Sequence, residues 1–300
     1  MSDKSLQTVF VGGPGSGKTS YLGALWSTVQ NAGPDASPRL SDKMPSRPGY
    51  LVAAESALMS GKSVGRTNRD TGERVELDLV LGDVEASINY TDLAGETLTA
   101  VLLDRKAPDD LVTDLRRSNA LILFIHPKDV RSSITIAEAA QVDKAMGEEV
   151  EDNPVVESGD VVIAGDKRIW DDADSAIHLV ELLQICIELS DAEGEILPIA
   201  VIVSAWDLVD SGEGWGDVEP TEWLGTQMPL LKQFLDSNRS LRPWKAFGVS
   251  AQGFDFEVTP DDAEVWDLPC SERTVVVEGN SWCHEITRPI EWLLDEIGDN

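Results

Sequence analysis

Cysteine is scarce in this chain of 300 residues: Cys186, Cys270 and Cys283 are odd in number, widely spaced and without a CxxC pair. That argues against a disulfide framework, and the three scattered histidines give a structural zinc site no support; buried, inert thiols are expected. Basic residues are also few, 24 against 54 acidic ones, for a net charge of −30. Such a field repels the nucleic-acid backbone and anionic lipid, so neither is expected as a direct partner. Long apolar runs are missing, since those at 120–125 and 196–203 are only strand-length, and the first residues do not resemble a signal peptide. A soluble, cytoplasmic protein without membrane insertion is the expectation. The acidic clusters at 148–152, 171–174 and 261–264 read as solvated surface, with a basic protein partner or a high-salt cytoplasm as alternatives.

What is present is organised around one stretch. Residues 8–11 are short, apolar and β-branched, as in a buried strand, and 19–30 carry the apolar spacing of a helix. Between them Gly12, Gly17, Lys18 and Thr19 fit GxxxxGK[ST], the pattern of a phosphate-binding loop. Glycines let the backbone curl so that successive amides point at one anion, at the positive end of a helix. Gly13, Pro14, Gly15, Ser16, Gly17, Lys18, Thr19 and Ser20 are therefore the candidate phosphate-binding residues. Lys18 would reach the β and γ phosphates and the Thr19 hydroxyl would ligate Mg²⁺.

An apolar content of 42 % fits a globular α/β core. We expect a single domain over 1–300 with insertions at about 31–74, 128–175 and 253–280, and a mostly parallel three-layer sheet with one antiparallel edge strand. The segment 31–74 holds Pro34, Pro38, Pro45 and Pro48, which forbid a continuous helix, although 51–60 fits a short one. Alternation at Val75, Leu77, Leu79 and Leu81, the Gly82-Asp83 turn signal and the run 84–91 predict a hairpin. Helical stretches are expected at 98–117, 134–146, 176–189 and 286–297, and further strands at 120–125, 161–164, 196–203, 246–249 and 274–277. Of the nine tryptophans only Trp26 precedes residue 169; core packing explains such a bias, and an exposed partner surface is the alternative.

Chemistry-bearing residues stand at the ends of the predicted strands. Asp92, Leu93, Ala94, Gly95 and Glu96 follow the hairpin. A carboxylate at a strand tip beside the phosphate loop holds Mg²⁺ directly or through water, and a glycine there lets a backbone amide touch the γ-phosphate. The strand at 196–203 runs into Ser204, Ala205, Trp206 and Asp207, and the next into Ser250 and Ala251. Strand ends in an open α/β sheet share one ligand crevice. Asp207 suits the N1 and N2 hydrogens of guanine, and the Ala251 amide suits its O6.

In this order the motifs resemble those of the translation-factor-related (TRAFAC) class of P-loop GTPases. G-P-G-S-G-K-T-S-Y-L-G-A-L-W, T-D-L-A-G-E and S-A-W-D are most similar to the bacterial double-GTPase group. The resemblance implies a Mg²⁺-dependent GTPase that cycles between GTP and GDP, hydrolyses slowly as a timer, and acts with a protein partner such as a second GTPase in conflict or defence loci. It implies that Glu96 stands where related chains orient the attacking water. A threonine ahead of the predicted hairpin, Thr67 in preference to Thr71, would join Thr19 and Asp92 at the metal, and Arg66 or Arg69 would be the candidate arginine finger. Ala205 replaces a lysine that usually covers the base, with Trp206 as a substitute stacking surface. A non-hydrolysing nucleotide-bound scaffold and an ATPase on the same fold stay open as alternatives.

Overall fold

The alternation of side chains along β1 (Leu6–Gly12) sets the layering of the molecule. Leu6 and Phe10 enter one core, with helices α1 (Lys18–Gln30), α2 (Pro48–Met59) and α9 (Arg288–Gly298). Val9 and Val11 enter the other. The second core is covered by α3 (Gly95–Leu103), α4 (Asp109–Arg117), α5 (Ser175–Leu189), α6 (Pro220–Gln227) and α7 (Pro229–Ser237). A sheet buried on both faces between helical layers is the three-layer α/β arrangement expected from the sequence. The computed structural model describes residues 5–30, 32, 36–60, 74–91, 95–130, 175–190, 194–210, 214–254, 259 and 264–298. The helix predicted at 134–146 and the strand at 161–164 lie outside them.

The remaining elements are β2 (Arg39–Leu40), β3 (Arg74–Leu81), β4 (Val84–Thr91), β5 (Ala120–Ile125), β6 (Ile199–Ser204), β7 (Trp244–Ser250), the short helix α8 (Cys270–Arg273), β8 (Val275–Glu278) and β9 (Ser281–Cys283). They form one nine-stranded sheet of order β2-β3-β4-β1-β5-β6-β7-β8-β9. From β4 to β7 every neighbour is parallel. Both margins are antiparallel: β3 on β4 and β2 on β3 at one side, β8 on β7 and β9 on β8 at the other. The antiparallel part is therefore larger than the one edge strand expected. The strand expected at 274–277 is β8, whose antiparallel pairing the sequence does not reveal, and β2 and β9, with two and three residues, are too short to give an alternation to read.

The helix expected at 98–117 is two helices. A continuous helix would drive the ring of Pro108 into the carbonyl four residues back, and the chain instead turns through a left-handed Arg105 (φ 54°) before α4 begins. Asp109 and Asp110 then open α4, and Arg116 and Arg117 close it, each opposite in sign to the helix end it neutralises. The helices α6 and α7 are not among the expected elements; Pro220 and Pro229 sit at their first helical turns, where proline needs no partner for a missing N–H.

Parts of the segments expected as insertions belong to the core. From α2, Leu51, Ala54 and Leu58 are buried, and α1 and α2 meet so closely at Gly23 that a Cβ there would lie 2.9 Å from the Ala54 backbone. All three cysteines are free, and burial pushes the Cys186 thiol up to about 12, as befits an inert core thiol. Of the eight described tryptophans, Trp26, Trp206, Trp244 and Trp292 are buried, Trp215, Trp223 and Trp266 are half-buried, and Trp282 on β9 is exposed.

Candidate functional site

Parallel pairing brings the strand ends to one edge of the sheet. Gly12 is level with Phe124, Ile125 with Val203, and Ser204 with Val249. The crevice of an open α/β sheet lies outside such an edge.

The loop from Gly13 to Gly17 crosses that edge. Pro14 and Gly15 form its exposed crest, while Ser16 and Lys18 are buried below. Gly17 requires its φ of +89°, and a Cβ there would lie 2.5 Å from the Ser204 Cβ. Loop and strand tip are thus in direct contact, which only glycine allows. The Lys18 ammonium donates to the carbonyl oxygens of Gly12 (2.9 Å) and Gly13 (2.7 Å) and to Ser16 Oγ (3.1 Å). Carbonyl partners hold the cation against the inside of the loop, so its charge adds to the positive end of α1. Ser20 follows Thr19 in the first turn of that helix, partly exposed.

The base-side residues adjoin this loop. Ser204 Oγ donates to the Ile125 carbonyl at 3.2 Å and ties the two tips together. Ala205 adopts left-handed backbone angles (φ 45°, ψ 50°), a costly conformation for a residue with a Cβ, and the chain then enters a short 3₁₀ turn, Trp206–Leu208. Ser250 Oγ donates a short hydrogen bond to Asp207 Oδ1 and accepts one from the Gly253 N–H at 2.9 Å. The carboxylate is thereby held at a fixed angle by a fully buried serine. Ala251 is buried beside it, its carbonyl accepting from the Thr274 hydroxyl at 3.2 Å.

Trp206 corrects one expectation. Its ring is fully buried, against Val203, Val275 and Val277 and edge-on to Trp223, and it lies directly over Gly248. The left-handed turn at Ala205 sends this side chain into the core and Asp207 out of it, so Trp206 supports the turn from below and is not a stacking surface.

Of the other predicted residues, Gly95 is the first residue of α3 and Glu96 the second; the Glu96 side chain lies outside the described residues. Asp92, Thr67 and Thr71, like Arg66 and Arg69, also lie outside them.

Two contributors escaped the sequence reading. His126 follows β5, its Nδ1 accepting from the Lys128 N–H at 3.1 Å; burial lowers its pKa, against the opposing charges of Asp129 and Asp207. Its place at a strand end was the available signal. Tyr90 is the second, its phenol oxygen 2.9 Å from Thr19 Oγ1. The parity Ala86, Ile88, Tyr90 along β4 was legible as the α1-facing side, but not the contact. Oxygen donors suit Mg²⁺, and the Thr19 hydroxyl, partly exposed at the start of α1, fits that chemistry.

A glycine-built anion loop at a helix N-terminus, on the C-terminal edge of a parallel sheet, defines a P-loop nucleotide-binding fold. The sequence pattern of the Double-GTPase 1 family matches residues 9–293, and the chain belongs to that family of GTPases. None of the curated proteins matches the chain. Among solved structures it is similar to the ADP-ribosylation-factor-like GTP-binding protein (small COPII coat GTPase SAR1) from Encephalitozoon cuniculi in complex with GDP, at 13 % identity and TM-score 0.37, over 99 % of this chain and 81 % of that one. It is also similar to the Ski7 GTPase-like domain of S. cerevisiae bound to GTP, at 10 % identity and TM-score 0.32, over 87 % of this chain and 47 % of that one. No helix among the described residues is long and apolar enough to cross a membrane.

Proposed function

We propose that this chain binds GTP with Mg²⁺ and hydrolyses it slowly, so that nucleotide state times its hold on a protein partner. The observation that carries this reading is the seating of Gly17 on Ser204, with Asp207 following in the same turn and fixed by Ser250. The phosphate-type loop thus touches the strand tip whose turn carries Asp207, which supports reading the two as ends of one crevice.

In this reading the loop amides and Lys18 neutralise the phosphates, and Asp207 accepts from guanine N1 and N2, a pair of donors that adenine does not present. Bound Mg²⁺ would be held by Thr19, with Asp92 and Thr67 as further oxygen donors, and would offset the charge between the β and γ phosphates. Gly95 offers a backbone amide to the γ-phosphate, and Glu96 orients the attacking water. Loss of the γ-phosphate releases the segments around Thr67 and Gly95, and the partner reads that change. As the sequence resemblance implies, the partner in this reading is a second GTPase, in a cytoplasmic conflict or defence system of bacteria.

Asp207→Asn tests the base assignment. Affinity for GDP should fall by about 100-fold while xanthosine diphosphate, which presents the complementary acceptor, gains. Unchanged GDP binding by this variant would overturn guanine recognition. Lys18→Ala should abolish binding of any nucleotide, and phosphate release from GTP in a single turnover should exceed that of buffer.

A further inference from the structure

Two phenols that the proposed function does not use form a hydroxyl chain with Thr19. Thr19 Oγ1 lies 2.9 Å from the Tyr90 phenol oxygen, and that oxygen lies 3.1 Å from the phenol oxygen of Tyr50. The chain runs from the start of α1, across β4, to the first turn of α2. It uses two of the three tyrosines in the whole sequence.

Both phenols are held firmly. Tyr90 is fully buried on the face of β4 that meets α1, its ring 6.3 Å from Phe10 and 5.9 Å from Tyr50 between centroids. Tyr50, half-buried in the first turn of α2, is carried by a helix packed on α1 through the Gly23–Ala54 approach, buried Leu51 and Leu58, and the hydrogen bond from Gln30 to Glu55. A phenylalanine would fill the space at position 90 equally well. The phenol adds only its hydroxyl, and that hydroxyl meets Thr19.

The direction of the hydrogen bonds follows from chemistry. A threonine hydroxyl that lends a lone pair to a cation keeps one proton, made more acidic, and needs an acceptor for it. Among the described residues Tyr90 Oη, 2.9 Å away, can accept that proton, and its own proton can then point to Tyr50 Oη at 3.1 Å. We propose that Tyr90, backed by Tyr50, is a positioning residue that turns the Thr19 oxygen toward the metal and couples metal occupancy to the placement of α2. The coupling is reciprocal: whatever moves α2 changes the metal affinity, and the metal steadies α2. This inference rests on the reading of Thr19 as a Mg²⁺ ligand.

The test is the release rate of a methylanthraniloyl-labelled GDP from the full chain, measured across a series of MgCl₂ concentrations, with thermal melting of each protein without nucleotide. Tyr90→Phe should melt near wild type yet need about tenfold more MgCl₂ to slow release, the worth of one hydrogen bond to a charge-polarised group. Tyr50→Phe should shift the curve less in the same direction. The double variant should match Tyr90→Phe alone, because a chain already broken at its middle has no further link to lose. A wild-type response to MgCl₂ with an identical response from Tyr90→Phe would overturn the proposal and leave Thr19 as a ligand. Additive effects in the double variant would overturn the chain. Labelled GDP that binds wild type but leaves at a rate indifferent to MgCl₂ would instead remove the metal reading, and this inference with it.

Discussion

Arg74, the first residue of β3, and Asp114, on α4, form a bidentate ion pair: the arginine donates from Nε to Oδ2 at 2.9 Å and from Nη2 to Oδ1. The Asp114 side chain is 1 % exposed and that of Arg74 33 %. Arg74 is also level with Thr91, the last residue of β4, so the pair pins the crevice end of the hairpin to the second helical layer. Removing the arginine leaves a buried carboxylate without its partner, the expensive way to break such a pair. Arg74→Ala should therefore lose about 3 kcal/mol in urea unfolding, and adding Asp114→Asn should recover part of that loss.

Gly17 and Ser204 make a sharper test, because their contact joins the two halves of the crevice. An alanine at position 17 meets Ser204 Cβ at 2.5 Å and must also adopt a φ of +89°. Gly17→Ala should thus abolish GDP binding in a titration at about micromolar protein, the range where a moderate nucleotide affinity is read. Combining it with Ser204→Gly removes the clash but not the backbone strain, so binding should return only in part.

What was legible in the sequence is what local chemistry decides. The glycine spacing before Lys18 marked the loop, and the expected strand at 8–11 and helix at 19–30 lie within Leu6–Gly12 and Lys18–Gln30. The Val75-to-Leu81 alternation and Gly82, which takes φ 60° in the turn, marked the β3–β4 hairpin. Tertiary contacts decided the rest. Short strands such as β9 exist only because a neighbour offers a ladder, and Trp206 turns inward only because Gly248 leaves it room. The Tyr90 phenol reaches Thr19 by joining positions 71 residues apart, which no window of sequence reports.

Gly248 on β7 gives the base-side turn its footing. A Cβ at this position would lie 2.2 Å from the Trp206 ring, and both strand and ring are fully enclosed. Gly248→Ala must push the indole outward and carry the Trp206–Leu208 turn with it, displacing Asp207. Overpacking of this kind costs about 1–3 kcal/mol, so the melting temperature should fall. Affinity for GDP should fall further than the stability loss explains, while inorganic phosphate affinity at the Gly13–Gly17 loop should hold. Equal losses for both ligands would count against Trp206 as the support of the base side alone.

His126 sets a pH dependence whose sign is fixed by its surroundings. Burial is the largest influence and lowers its pKa from 6.5; the charges of Asp129 and Asp207 oppose that shift without reversing it. The folded chain therefore binds this proton less readily than the unfolded chain, and stability rises with pH wherever the unfolded state holds more protons. The contribution is present above pH 6.5 and is lost as pH falls from there through the lower folded value. His126→Gln keeps a polar side chain but cannot titrate, so its urea midpoint should lose this component of the slope just below pH 6.5 while the carboxylate-driven loss at lower pH remains. A variant that follows the wild-type profile throughout that window would show that the imidazole stays equally protonated in both states, and that the Lys128 N–H finds its acceptor at no cost in proton affinity.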